Sequence, residues 1–321
     1  MPTFQNYLDS IKDPKQHQQI RLQLIGDIEA HTKRKLIVYA ADFRKAPYSI
    51  IDLTDKAGFS DLIEGIQGNP LDVLVQSPGG FAEATEDLVK LLRANFSHIR
   101  FIVPHSAMSA ATMFCLSGNE ILMDERSSLG PIDPQIQITS GQGPISVPAQ
   151  IIIDGFKQAQ DSISKDPRNL PVYLPWLSQY TLFVQICRDA DDLSKTLVKD
   201  WLVKFMLSGI ANSDTLADQI VSYFSDRATH KSHLRKIGIE ESTSKGLRIF
   251  DMRKDPTLRD LVWRLYCCIE LFFDRSLSYK LFENKYGVSF ARTISQIQIQ
   301  LPQQLRPVTP PTQPPSSPPT P

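Results

Sequence analysis

The sequence predicts an α/β fold around a largely parallel sheet, and two observations carry that expectation. From Lys35 onward, short β-rich runs alternate with helix-periodic segments, the pattern of βα units. The chain has 321 residues, 41% of them hydrophobic and 22% charged, enough for one large core plus a smaller appendage.

Taken in order, the apolar run KLIVYAA is the first strand, and Thr54 to Ile66 is a periodic segment. LDVLVQS is the second strand, Ala82 to Ala94 a helix, and IRFIVP a third strand. Ser109 to Leu116 is apolar throughout and reads as a buried helix, followed by the strand-like EILMD. The loop SSLGPIDPQ precedes a helix starting near Pro148, and the chain is helical again from Asp189 to Arg227 and from Leu258 to Tyr286. Four regions result: a helical lead over 1–32, a core over 33–245 with a helical insertion at about 189–225, a helical segment over 246–297, and a tail over 298–321. Residues 302–321 hold nine of the 23 prolines. Such a composition cannot bury enough apolar area to offset its ordering entropy, so the tail is expected to be disordered or polyproline II.

Thirty-five basic residues balance thirty-five acidic ones, so bulk charge does not argue for nucleic acid as a partner. The amino terminus is polar and lacks the apolar centre of a secretion signal, which reads as an uncleaved start. The best candidate span, Leu261 to Phe273, is interrupted by Arg264 and Glu270, and no membrane span is expected. Cys115, Cys187, Cys267 and Cys268 lie in apolar surroundings without metal-ligand spacing, as expected of reduced thiols in a cytoplasm.

Ser77, Pro78, Gly79 and Gly80 stand at the end of a strand and directly before a helix. A glycine pair there lets the backbone approach a ligand and present a free N–H. By itself SPGG is a tight turn. PHSAMSAATMF then places Ser109 at the first turn of a buried helix among small residues, which leaves room for a substrate backbone. Ser109 alone reads as an N-cap; the two elements together favour catalysis.

SPGG, AMSAATM and SSLGPIDPQ, in that order, resemble the serine dehydrogenase proteinase family within the Clp/crotonase group, with likeness from Arg34 to Gly287 that includes ENKYG. The resemblance implies a Clp/crotonase-like spiral of ββα units with added helical segments. It also implies Ser109 as nucleophile, and an oxyanion hole from the N–H groups of Gly80 and Ala110. Clp peptidases carry a histidine where GPIDPQ has Asp133, so their standard triad is not reproduced. A second acidic position, near Asp226, then has no intervening imidazole to orient.

Four sources of a general base stay open. Signal peptide peptidase A relatives resemble a Ser/Lys dyad; alignment puts Gln150 at their lysine, and Lys157 follows on the same helix face. His230 and His233 sit where the fold's last catalytic contribution arrives, and imidazole titrates near neutrality. His105 is close to Ser109 in sequence. Exposed lysines usually only solubilise, and the histidine pair also reads as surface.

The sequence lacks HExxH, a phosphate-cradling loop and a dinucleotide fingerprint, so the expected chemistry needs no cofactor and no metal. The predicted function is a serine endopeptidase acting on a protein or peptide substrate. A crotonase-type acyl-CoA enzyme and a catalytically silent scaffold are the alternatives. A homo-oligomer is also expected, with part of the apolar stripe Trp263, Leu265, Tyr266, Ile269, Phe272, Phe273, Leu277 and Phe282 facing a neighbouring subunit.

Overall fold

The computed structural model describes residues 3–66, 70–140 and 143–294. The Pro-rich tail lies outside them. Helix α1 spans Thr3–Ser10 and α2 Pro14–Thr32. The first α/β units follow as β1 Lys35–Ala41, α3 Asp55–Ile63, β2 Leu71–Gln76 and α4 Ala82–Asn95. Next come β3 Ile99–Ile102, β4 Ser106–Ala107, α5 Ala110–Leu116, β5 Glu120–Met123 and β6 Ser128–Leu129. A hairpin of β7 Gln135–Ser140 and β8 Gly143–Pro148 leads into α6 Ala149–Lys165 and α7 Leu170–Trp201. The chain closes with α8 Ser213–Ser225, α9 Arg227–His230, α10 Ile239–Ser244, β9 Ile249–Asp251, α11 Pro256–Asp274, β10 Ser278–Glu283 and β11 Ser289–Thr293.

The main sheet has seven strands in the order β11-β10-β1-β2-β3-β5-β9. Strands β1, β2, β3, β5 and β9 run parallel, whereas β10 is antiparallel to β1 and β11 to β10. Along β1, Ile37 and Tyr39 enter a core shared with α3, α4, α5 and α8, while Leu36, Val38 and Ala40 enter a core shared with α2 and α11. Both faces are covered, which is why the strand is an unbroken apolar run. Helices α2 and α11 start alike: Asp13 accepts from the Lys15 N–H at 2.9 Å and Asp255 from the Leu258 N–H at 3.0 Å, each followed by proline at the first helical position.

A second, short ladder forms at the carboxyl ends of the strands. Ser77 bridges Ala107, Ala107 pairs in parallel with Leu129, and Leu129 bridges Ile237 antiparallel. The Clp-like α/β fold expected from the sequence is therefore present.

Two regions depart from the sequence expectation. Helix is continuous from Leu170, well before Asp189, because Pro171 sits in the first turn and the uncharged stretch beyond it packs on α6. At the carboxyl end, the expected helix to Tyr286 stops at Asp274, and SYKLFE is strand β10. Its pairing of Leu281 with Ala40 and Phe282 with Tyr39 links residues too distant in sequence for local periodicity to report. The aromatic stripe is largely internal: Leu265, Ile269 and Phe273 lie in the core under the sheet, and Phe282 lies in the core above it.

Candidate active site

Strand β2 is buried along its whole length and delivers Ser77 and the glycine pair to the edge of the core. Gly79 has φ +101°, and a Cβ there would stand 2.6 Å from the Met108 carbonyl and 2.8 Å from the Ser109 Cβ. At Gly80 a Cβ would be 2.2 Å from the Ile51 carbonyl oxygen. Only glycine fits either place. Ile51 clamps this loop, donating its N–H to the Gly79 carbonyl at 2.7 Å and accepting from the Phe81 N–H at 3.0 Å.

Ser109 caps the amino end of α5 with φ 53° and ψ −122°, a conformation that costs a non-glycine residue on the order of 1–3 kcal/mol. The surroundings impose it. Thr112 Oγ1 donates to the Ala107 carbonyl at 2.7 Å and accepts from the Gly130 N–H at 2.9 Å, while the Met108 N–H reaches the Ser77 carbonyl at 3.0 Å. The Ser109 side chain makes no capping hydrogen bond. Among the described residues, no hydrogen bond involves Ser109 Oγ, and the N–H groups of Gly80 and Ala110 have no acceptor. Two unused amides beside a strained, partly exposed serine provide the donors and the hydroxyl that acyl transfer uses.

The ladder carries two further side chains toward the same end. Extending the Leu129–Ile237 antiparallel register by four residues sets Asp133 opposite His233, and His233 Nδ1 lies 2.8 Å from Asp133 Oδ1. Asp133 is buried and also accepts from Gln135 Nε2 at 2.9 Å. A carboxylate only accepts, so Nδ1 carries a proton, and in the neutral ring Nε2 is the acceptor. The ring is one-fifth exposed.

The other base candidates have different surroundings. His230 Nε2 donates to the Tyr223 carbonyl at 2.7 Å, and its Nδ1 lies 3.4 Å from Arg235. Lys157 is exposed on α6, beside Asp154, Asp161 and Tyr173 in a groove open to solvent. Gln150 donates to Asp154 at 2.8 Å on the same helix. Asp226 caps α9 through the Ala228 N–H at 2.9 Å. The His105 ring stacks on Tyr266 of α11 with centroids 5.4 Å apart, and burial lowers its pKa.

A buried ionic group supports the glycine loop from beneath. Lys280 of β10, fully buried, donates to Asp52 Oδ2 at 2.8 Å and to Asp55 Oδ1 and Oδ2 at 2.8 and 2.9 Å. Tyr39 donates to Asp55 at 2.9 Å, and the Asp52 N–H reaches the same carboxylate at 3.2 Å. Burial raises the Asp55 pKa, with Lys280 opposing it, and burial together with Asp55 raises that of Tyr39. Sequence reading missed this group because its members come from three distant segments.

Among the described residues, no group of three His, Cys, Asp or Glu side chains is placed to hold a metal ion, and no helix is long and apolar enough to cross a membrane.

The parallel sheet thus presents a strained serine and two free amides at its strand ends. Residues 15–166, a little under half of the chain, match the family described as ClpP-like SDH-type serine proteinase. Two uncharacterized proteins of Methanocaldococcus jannaschii are similar to it. MJ0137 is 43% identical over 67 residues, covering 21% of this chain and 23% of the relative. MJ1495 is 25% identical over 244 residues, covering 72% and 75%. The chain thus spans under a quarter of the first relative's length and three quarters of the second's. Two solved structures of the 1510-N membrane-bound stomatin-specific protease match at 15% identity and TM-score 0.38. A serine-to-alanine variant covers 62% of this chain and 74% of that one, and a lysine-to-alanine variant with a substrate peptide covers 75% and 82%.

Proposed function

We propose that the chain is a serine endopeptidase using Ser109 as nucleophile, His233 as general base, Asp133 as the group orienting that base, and the Gly80 and Ala110 amides as oxyanion hole. The observation that carries this reading is the strained Ser109 turn with its two unpartnered amides. The ladder supports the choice of base. From Ala107 to Ser109, from Leu129 to Asp133, and backward from Ile237 to His233, three neighbouring strands run to one end.

In the forward step, Ser109 Oγ attacks the peptide carbonyl carbon and its proton passes to His233 Nε2. The carbonyl oxygen takes the negative charge toward the two amides, and Asp133 stabilises the imidazolium. Collapse expels the amine, which takes the proton from Nε2, and leaves an acyl-enzyme on Ser109. Water then enters by the same base and releases the acid. The exposed Phe81, next to Gly80, offers an apolar contact for a substrate side chain.

A fluorophosphonate probe followed by peptide mapping tests the assignment. Labelling confined to Ser109, together with internal cleavage of an unstructured protein, supports it. Folded protein that neither labels nor cleaves supports the silent scaffold instead.

A further inference from the structure

Helix α7 holds no charged residue from Leu170 to Cys187. Its inner face is occupied: Val184 and Cys187 pack with Ile138, Ala149 and Ile152, and Trp176 closes on Gly155. Among the described residues, none covers its outer face. Leu182 is 83% exposed, Val172 75%, Leu174 and Ile186 54% each, and Leu170 44%. Such a patch is on the order of several hundred Å², the size at which exposed apolar surface marks an interaction site.

The arrangement of the patch identifies its occupant. Leu170, Leu174, Ser178, Leu182 and Ile186 recur at every fourth position and form one ridge. The ridge is symmetric about Ser178, with leucine four residues to either side and leucine or isoleucine four beyond. The Ser178 hydroxyl donates to the Pro175 carbonyl at 2.9 Å within its own helix, so this small residue is satisfied before anything covers it.

We propose that this ridge is a homodimer interface, in which α7 packs antiparallel on α7 of a second copy across a two-fold axis at Ser178. The axis sets Leu174 against the partner's Leu182 and Leu170 against the partner's Ile186, the self-complementarity an isologous contact requires. The helix ends also complement each other. Lys165 is exposed before α7, beside an Arg168 that is paired with Asp166 of its own chain at 2.8 Å, and Asp189 and Asp192 are exposed beyond the uncharged stretch. Arg188 does not cancel those acids at the contact, because its guanidinium turns back over Phe156 of its own chain, 5.9 Å from the ring centre. Antiparallel pairing brings the cationic end of one copy toward the acidic end of the other. A bilayer surface is the poorer occupant: surface-seeking helices carry a basic polar face, and the polar residues on this face are Ser, Thr and Gln.

Light scattering on the full chain tests the proposal, with an expected mass of at least twice 36.2 kDa. The double variant Leu174→Glu/Leu182→Glu should halve that mass while keeping a cooperative melting transition. Ser178→Cys should cross-link copy to copy with a short bismaleimide, because the axis sets the position opposite itself. Ser60→Cys, exposed on α3, should not, and the four native cysteines are buried. Three results overturn the interface: a monomer at tens of micromolar, an oligomer that survives the glutamates without a Ser178 cross-link, or a monomer whose flotation with phosphatidylglycerol vesicles is abolished by Leu182→Glu.

Discussion

Ser109 sits at a positive φ, among contacts that leave the backbone no alternative. Ser109→Ala is expected to abolish peptide hydrolysis by several orders of magnitude while leaving the melting temperature within a few degrees, since one hydroxyl without a partner is lost. Activity retained against an unstructured protein would remove Ser109 from the mechanism. Asp133→Asn should lower kcat by about 10⁴-fold at neutral pH, because the amide no longer holds the productive His233 tautomer. Lys157→Ala, on an exposed helix face, should leave kcat unchanged; a comparable loss there would return the base role to lysine. Gly80→Val should lower kcat by about 10²–10³-fold, the worth of one oxyanion donor, as the added side chain collides with Ile51.

At the scale of elements, β10 matters beyond its place in the sheet. It brings Lys280 under the segment Ile51 to Asp55, and Ile51 in turn clamps Gly79 and Phe81. Lys280→Met leaves the buried Asp55 carboxylate with Arg292, 3.9 Å away, as its remaining cation and should destabilise the fold by about 3–5 kcal/mol, measured by urea titration. In whatever folded protein remains, kcat should fall more than KM rises, because the displaced loop holds the oxyanion donor. Helix α2 contributes a pH dependence. His17 is buried with Nε2 donating to the Cys268 carbonyl at 2.7 Å, and burial beside Arg21 lowers its pKa from 6.5 to about 4. Between those values the unfolded chain binds more protons than the folded one, so stability is retained above pH 6.5 and declines as pH falls toward 4. His17→Gln should flatten that part of the curve in thermal melts across pH.

For the whole molecule, the helical lead is part of the core and not an appendage. Ile11, Leu24, Ile25 and Ile28 are each at most 2% exposed and pack with Leu265, Ile269 and Phe273 of α11. Burying each such side chain is worth about 1.5–3 kcal/mol, a sum comparable to the whole stability of a typical domain. A chain starting at residue 33 is therefore expected to be insoluble or to lose its cooperative transition, as followed by circular dichroism. Recovery of a soluble, sharply melting fragment would show that the sheet needs only α11 on that face.

The sequence alone was enough for the α/β class, the parallel strands and the Ser109 and Gly79–Gly80 elements. Apolar runs and glycines at strand ends report local constraints: burial on both faces, and backbone conformations that no side chain tolerates. It did not reveal the uncharged start of α7, where prolines obscure helical periodicity, or β10, whose central-sheet partner β1 lies more than 200 residues away. The Asp133–His233 pairing lay beyond it for the same reason. Asp133 and His233 are 100 residues apart, and each alone resembles an ordinary polar residue near the surface. Only the antiparallel continuation of the Leu129–Ile237 bridge sets one opposite the other, because a contact between distant segments is decided by packing of the whole chain and leaves no periodic trace in either segment.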